Sequence, residues 1–353
     1  MKRKLNLVNK RSFLSFIALV VISCSVALAQ VVGTATTDFK KAGGSGSQFL
    51  KIGVGARAMG MGGAFSGVAD DITALYWNPA GIASLKGVNM GFEYNSWFGD
   101  MKHSFVGLEF PLSDDYRFGL SVVMLDAGSI DITTLASPEG TGSSYNVNDI
   151  SIGGTIAAKL TEQFSFGITL KYIQNTIFDL TATTIAIDAG TVYDLGLDGL
   201  RLGLGVTNLG GEATFEGQSL SVQVDRQSDR DANITSRPLD AQLSNTPYSL
   251  PLSFRAGLSY DFLKGKENSN LVLAGDFIHL SDNPEKFNVG AEYVWNGLLS
   301  IRSGYQARYD ELGFTVGGGV KFNTESFAGS FDYVYADLGR LGAANRIGVR
   351  LGF

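Results

Sequence analysis

Two histidines, His103 and His279, are the only imidazoles among 353 residues, and Cys24 is the only thiol. A histidine acting as general base needs a serine or a carboxylate held beside it, and the spacing singles out no such partner for either. A lone cysteine cannot build a thiolate zinc site. Asp225, Asp229 and Asp231 offer the oxygen ligands that calcium takes, but Arg226 and Arg230 alternate with them and offset their charge. That stretch reads as a solvated loop. Gly53, Gly55, Gly60, Gly62 and Gly63 lack the GxxxxGK[ST] order of a phosphate loop and read as backbone freedom instead. No catalytic residue, metal site or cofactor is therefore expected. The remaining polar chemistry belongs to charges on alternating segments: Lys159, Lys171, Arg201, Arg255, Glu292, Arg302, Lys321, Arg346 and Arg350. Such groups could select ions or hold a plug, and mutual pairing in a polar interior is the simpler expectation.

The elements that carry these charges follow from composition and period. Only 18% of residues are charged, against about 25% in an average soluble domain. Glycine makes up 45 of the 353 residues, roughly 13%, against about 7% on average. With 23 Phe and 13 Tyr the chain is not of the disordered class, and a pI near 5.1 argues against nucleic acid as a partner. Residues 1–29 carry Lys2, Arg3, Lys4, Lys10 and Arg11, an apolar run from Phe13 and an Ala27-Leu28-Ala29 site, the layout of a signal peptide. A lipobox reading, with Cys24 as the acylated residue, stands as the alternative. Cleavage after Ala29 removes five positive and no negative charges, taking the net charge from −6 to −11.

Beyond residue 30 no apolar run is long enough for a transmembrane helix. An exported, charge-poor chain can then meet a membrane only as a closed barrel, because lipid offers the backbone no hydrogen bonds. From residue 88 onward the sequence alternates with period 2. Ile150, Ile152, Ile156 and Leu160 share a face against Ser151, Thr155 and Lys159; Phe254, Leu258, Tyr260 and Phe262 oppose Arg255, Ser259 and Asp261. The pattern predicts strands near 88–96, 103–111, 117–125, 147–160, 164–174, 182–194, 200–208, 250–262, 270–279, 286–295, 298–306, 312–322, 327–335 and 345–353. The fold class is all-β, an outer-membrane barrel of about fourteen antiparallel strands. The long connections 126–146 and 209–249 fall on one parity and short turns such as 113–116 and 296–297 on the other, as outer loops and periplasmic turns do. Aromatic residues collect at both predicted rims, Phe110, Phe118, Phe164, Tyr193 and Phe353 at the inner one, Tyr94, Tyr172 and Tyr333 at the outer.

Residues 30–87 do not alternate. The expected organisation is a signal peptide at 1–29, a Gly-rich hatch or plug at 30–87 and the barrel at 88–353. Within the hatch, a helical turn at 72–76 is expected behind Asp70 or Asp71 as cap, and Asn78-Pro79-Ala80-Gly81 reads as a turn. The segment FLKIGVGARAMGMGGAFSGVADDITALYWNPAGIA (49–83) resembles the N-terminal signature of the PorV/PorQ family of outer-membrane proteins, associated with type IX secretion. Its ADD…NPA element is also similar to the entry of FadL-like hydrophobic-compound transporters. GLGVTNLG (203–210), FNVGAEYVW (287–295) and FDYVYADLG (331–339) resemble later strands of the same family. On that resemblance Gly60, Gly62, Gly63, Asp70, Asp71, Trp77, Asn78, Pro79, Ala80 and Gly81 form the hatch motif, and Phe353 is the barrel terminus. The resemblance implies a non-enzymatic barrel in outer-membrane lipid that partners a secretion translocon or a surface-attachment complex through its outer loops. A channel for hydrophobic small molecules, with a hydrophobic ligand and a strand kinked inward near the Gly-rich 312–320, is the alternative. A chain with only two long outer loops departs from the secretion-associated pattern.

Overall fold

The structure, a computed structural model, describes residues 43–197, 199–224, 239–264, 269–324 and 326–353. Among these, fourteen long strands run antiparallel, each paired with its neighbours in sequence. They are β1 Asn89–Ser96, β2 Lys102–Pro111, β3 Tyr116–Asp131, β4 Ser144–Lys159, β5 Phe164–Ile177, β6 Leu180–Asp194 and β7 Leu200–Gly210. The second half contributes β8 Ser253–Asp261, β9 Asn270–Leu280, β10 Asn283–Trp295, β11 Leu299–Ala307, β12 Phe314–Asn323, β13 Ala328–Asp337 and β14 Ala343–Gly352. β1 pairs with β14 from Asn89↔Gly352 to Ser96↔Asn345, which closes the sheet and leaves no edge strand exposed.

The period-2 sequences form this cylinder because each strand has two solvents to satisfy. Thr155 and Thr169 point inward, are fully buried and share a hydrogen bond at 2.7 Å. Their neighbours Ile156 and Leu170 point outward and are 53% and 57% exposed. Across the sheet the same inversion places Phe92, Val106, Leu120, Leu258, Val289, Ile301, Phe331 and Ile347 on the exterior. An apolar outer face of this extent belongs in hydrocarbon. At the end carrying the short turns, adjacent strands bring aromatic rings together: Phe110 with Phe118 at 5.4 Å, Phe164 with Tyr193 at 6.3 Å, and Phe327 with Phe353 at 6.1 Å.

The expected loop 126–146 is shortened at both ends by strand to 132–143. β3 and β4 run on to Asp131 and from Ser144, past an irregularity between Asp126 and Ser129 where Gly128 takes φ +82°. The Gly-rich 312–320 could permit an inward kink, but none breaks its pairing. β12 pairs without interruption with β11 and β13. Its glycines instead make room for neighbouring side chains: a Cβ at Gly317 would meet Val334 at 2.5 Å, and one at Gly319 would meet Asp332 at 2.0 Å. Other register shifts lie between Ile187 and Ala189 on β6 and between Ile278 and Leu280 on β9.

Residues 43–87 lie within the ring of strands. The segment enters at the outer end, where Gly46 N–H donates to Ser249 O and Ser47 Oγ to Asn175. It leaves at the inner end, where Val88 exchanges two backbone hydrogen bonds with Phe353. Between these points it forms two short helices, α1 Ala56–Gly60 and α2 Ala74–Trp77, and a 3-10 turn Pro79–Ser84. Phe49, Phe65, Ile72, Leu75, Trp77 and Ile82 are buried against the wall, so the main hydrophobic core lies between this segment and the barrel. Close contact requires glycine on the inward face of the strands. A Cβ at Gly203 would lie 1.9 Å from Ser66 O, at Gly290 2.2 Å from Met61 O, at Gly304 2.1 Å from Gly62 N, and at Gly167 2.5 Å from the Pro79 carbonyl carbon. Much of the excess glycine in the composition is thereby accounted for.

Candidate functional site

Two polar regions flank the inward segment. Towards the inner end the lumenal charges pair. Arg57 on α1 donates to Glu292 of β10 at 2.9 and 2.8 Å, to Asp70 at 2.5 Å and to Asp71 at 3.1 Å. Arg302 of β11 joins Glu292 and Asp332 of β13, each at 2.5 Å. Arg350 of β14 completes the circuit by donating to both Asp332 and Asp71. Three arginines and three carboxylates thus close a ring, with Asp70 pendant on Arg57, that ties α1 and the residues just before α2 to four strands. The pairing expected of the nine lumenal charges holds for Glu292, Arg302 and Arg350 here and for Lys159 and Lys171 elsewhere, but among the described residues Arg201, Arg255, Lys321 and Arg346 have no carboxylate partner. Arg57 and Asp332 were missed as members because no single segment shows that they meet.

Towards the outer end lies a cavity of about 220 Å³. Its floor is the inward segment: Leu50 from the strap Ser45–Lys51, which holds the 3-10 turn Gln48–Lys51, Ile52 just after it, Met59 from α1, and Tyr76 and Trp77 from α2. Its walls include Ile278 and Leu280 of β9, and its roof residues Trp97, Tyr309 and Leu312 come from outer connections. The floor is rigidly set. Tyr76 Oη donates to Leu50 O and Trp77 Nε1 to Val54 O, both at 2.9 Å, and the two rings meet edge to face at 5.1 Å. The strap is tied down at the outer turn by Asp282. This carboxylate accepts from Ser45 and Gln48 and pairs with Lys51 at 3.0 Å. Burial works to raise the Asp282 carboxyl, but the hydrogen bonds from Ser45, Gln48, Asn283 and Lys51 together hold it well below the usual carboxylate range.

Five cations also line this cavity: Lys51, Lys171, Arg255, Lys286 and Arg346. Lys51 is neutralised by Asp282 and Lys171 by Asp188 of β6, the latter at 2.5 Å. Arg255 lies over the Trp77 ring at 4.9 Å, Arg346 over Trp97 at 5.3 Å, and the Lys286 ammonium is 4.1 Å from the Tyr309 ring centre. Among the described residues none of these last three has a carboxylate partner, and no Asp or Glu lines the cavity.

Of the hatch motif Trp77 alone lines this cavity, and the other residues frame the inward segment away from it. Gly60 ends α1 against Val334 and Arg302, while Gly62 and Gly63 take φ of +65° and +73° in the turn that follows. A Cβ at Gly62 would stand 2.8 Å from the Tyr305 backbone nitrogen. Asp71 belongs to the ion-pair ring, on which Asp70 is pendant, and Asp71 also accepts from Thr73 N–H at 2.9 Å, so that the helical turn starts two residues later than expected, at Ala74. Asn78 is fully buried. Its amide donates to Ser66 O and to Thr191 O, both at 3.0 Å, and its carbonyl oxygen caps Ala80 N–H, which starts the 3-10 turn at Pro79. Gly81 packs so closely on Ala69 that a Cβ would lie 2.0 Å from its carbonyl oxygen. His103 faces the lumen, buried, with no partner for Nε2, whereas His279 is half exposed beside Glu285 at 3.3 Å. Cys24 and Asp225, Asp229 and Asp231 lie outside the described residues.

Residues 22–172 match an uncharacterised protein family (UPF0164). A comparison with curated protein sequences finds no match. Among solved structures, the CymD monoaromatic hydrocarbon channel is similar at a TM-score of 0.55 and 13% identity, over 86% of this chain and 98% of that one. The Ralstonia pickettii toluene transporter TbuX is similar at 0.53 and 12%, over 85% and 97%. The P. putida toluene transporter TodX follows at 0.53 and 12%, over 85% and 96%. These are channels and transporters, not secretion components, and the secretion-associated family remains a resemblance of the 49–83 motif. At these identities the likeness is one of architecture: the chain has the closed fourteen-stranded barrel fold of FadL-type outer-membrane channels.

Proposed function

We propose that this chain is a non-enzymatic outer-membrane channel that draws small hydrophobic molecules from the outer side into the cavity above its inward segment. On this reading residues 1–29 direct export, residues 30–87 supply the hatch, with the 60–81 motif as its framework, and residues 88–353 span the membrane. The observation that carries it is the cavity itself. Its aromatic and aliphatic residues, Leu50, Ile52, Met59, Tyr76, Trp77 and Trp97 among them, stand on the outer side of a plugged lumen and suit capture of the apolar body of a small ligand. The hydrocarbon cargo named for the similar barrels agrees with such a pocket. Secretion-system partnership has the motif resemblance behind it and no feature of the site.

The test is titration of the detergent-solubilised full chain with toluene, read by calorimetry and by tryptophan fluorescence. Saturable uptake is expected, and Ser253→Phe, at the start of β8 where Ser253 lines the cavity, should abolish it while the barrel stays folded. Failure of every apolar probe to bind, together with recovery of translocon subunits from native membranes, would overturn the channel reading in favour of a secretion partner.

A further inference from the structure

Resting on that reading, we propose that the cavity selects organic anions, an aromatic or short apolar body carrying a carboxylate, over neutral hydrocarbons. The two ends of the lumen treat charge differently. In the inner ring every arginine meets at least two carboxylates. Around the outer cavity Arg255, Arg346 and Lys286 meet none among the described residues, although all three line a confined space whose other polar groups, Thr207, Asn208, Ser253, Asn288 and Gln306, are uncharged apart from the paired Lys51 and Lys171. Removing a cation from water without a partner is unfavourable, so a fold that neutralises its charges elsewhere has reason to leave these free.

Their donors are also free. Arg346 spends Nη1 on Gly53 O, while its Nε and Nη2 are buried without a partner, as is Arg255 Nη1. A planar guanidinium with unused N–H groups matches a carboxylate, which can accept two parallel hydrogen bonds. The aromatic faces of Trp77 and Trp97 hold the two guanidiniums in place without cancelling their charge. Size sets the body of the ligand. A cavity of roughly 150 Å³ takes one benzene ring, so about 220 Å³ accommodates one ring, or two fused rings, beside the charged group.

Benzoate and toluene, which share a phenyl ring and differ in the charged group, separate this proposal from the channel reading. With the full chain in non-ionic detergent at low salt, benzoate should bind about tenfold or more tightly than toluene, the scale of hydrogen bonds to charged groups. The preference should fall in Arg255→Met and Arg346→Met and survive in Lys321→Met, whose lysine faces the inner-end pocket. Lys286→Met, which removes a charge that makes no hydrogen bond to the inward segment, guards against misfolding of the arginine variants and should weaken benzoate alone. Equal binding of the two probes, or tighter toluene, overturns anion selection and leaves the channel standing. A benzoate preference that persists in all three cavity variants overturns the assignment of the site. Binding of neither probe overturns the channel reading, and this proposal with it.

Discussion

Glu292 accepts from Arg57 and Arg302 at once, and its side chain is 1% exposed. Replacing it with Gln leaves two buried guanidiniums short of countercharge, a loss of about 3–5 kcal/mol by analogy with other broken buried pairs. The expected readout is a lower temperature for the gel-mobility change that marks barrel unfolding. Asp332→Asn should act in the same direction, and the double variant should show less than the sum, because both residues serve Arg302. The sequence reveals half of this network. Parity alone puts Glu292, Arg302 and Arg350 on the lumenal face, since strand side chains alternate strictly. It cannot pair them, because the contact of Arg57 with Glu292 joins residues 235 apart and depends on where the inward segment rests. Lys286 escapes notice for a related reason: it stands at an outer strand end, where alternation gives way to loop.

At the scale of elements, the strap Ser45–Lys51 and the wall glycines make the sharpest tests. Asp282→Asn removes the charge that holds Lys51, so trypsin should cut after Lys51 faster in the variant than in the parent. The same carboxylate gives the strap a pH dependence. Its folded pKa is depressed, so its contribution is complete above about pH 4 and fades as pH falls through the depressed value. A spin label on Gly44→Cys should therefore be more mobile at about pH 2 than at about pH 6. Gly290→Val sets a side chain against the Met61 carbonyl, and the variant should fail to dock the inward segment, leaving 43–87 open to protease. Strands were the most legible part of the sequence. All fourteen predicted positions carry one, because a wall between lipid and lumen enforces the period along its whole length. The loop at 126–146 is narrower than expected because Ala127-Gly128-Ser129 breaks the apolar period where the register shifts, although β3 and β4 pair again beyond it.

For the whole molecule, the apolar exterior predicts that the folded chain needs detergent or lipid to stay monomeric in solution. Trp295 is 55% exposed at the inner rim of β10, whereas Trp77 is buried in the lumen. In bilayers with brominated acyl chains, a variant retaining only Trp295 should be strongly quenched and one retaining only Trp77 should not; similar quenching of both would deny the membrane orientation of the wall. The barrel architecture was readable from composition, parity and rim aromatics together. The cavity was not, since its lining is drawn from seven strands, two loops and the inward segment, a convergence that no local pattern encodes. The glycine contacts carry one further implication. Ser66, Met61 and Pro79 touch the wall on several sides at less than the width of a methyl group, while the seam between β1 and β14 joins strands from the two extremes of the wall. Contents so tightly gripped cannot be inserted into a finished vessel. The first-made portion of the chain must wait, already shaped, for the final strand to zip shut around it, and biogenesis is wrapping rather than loading.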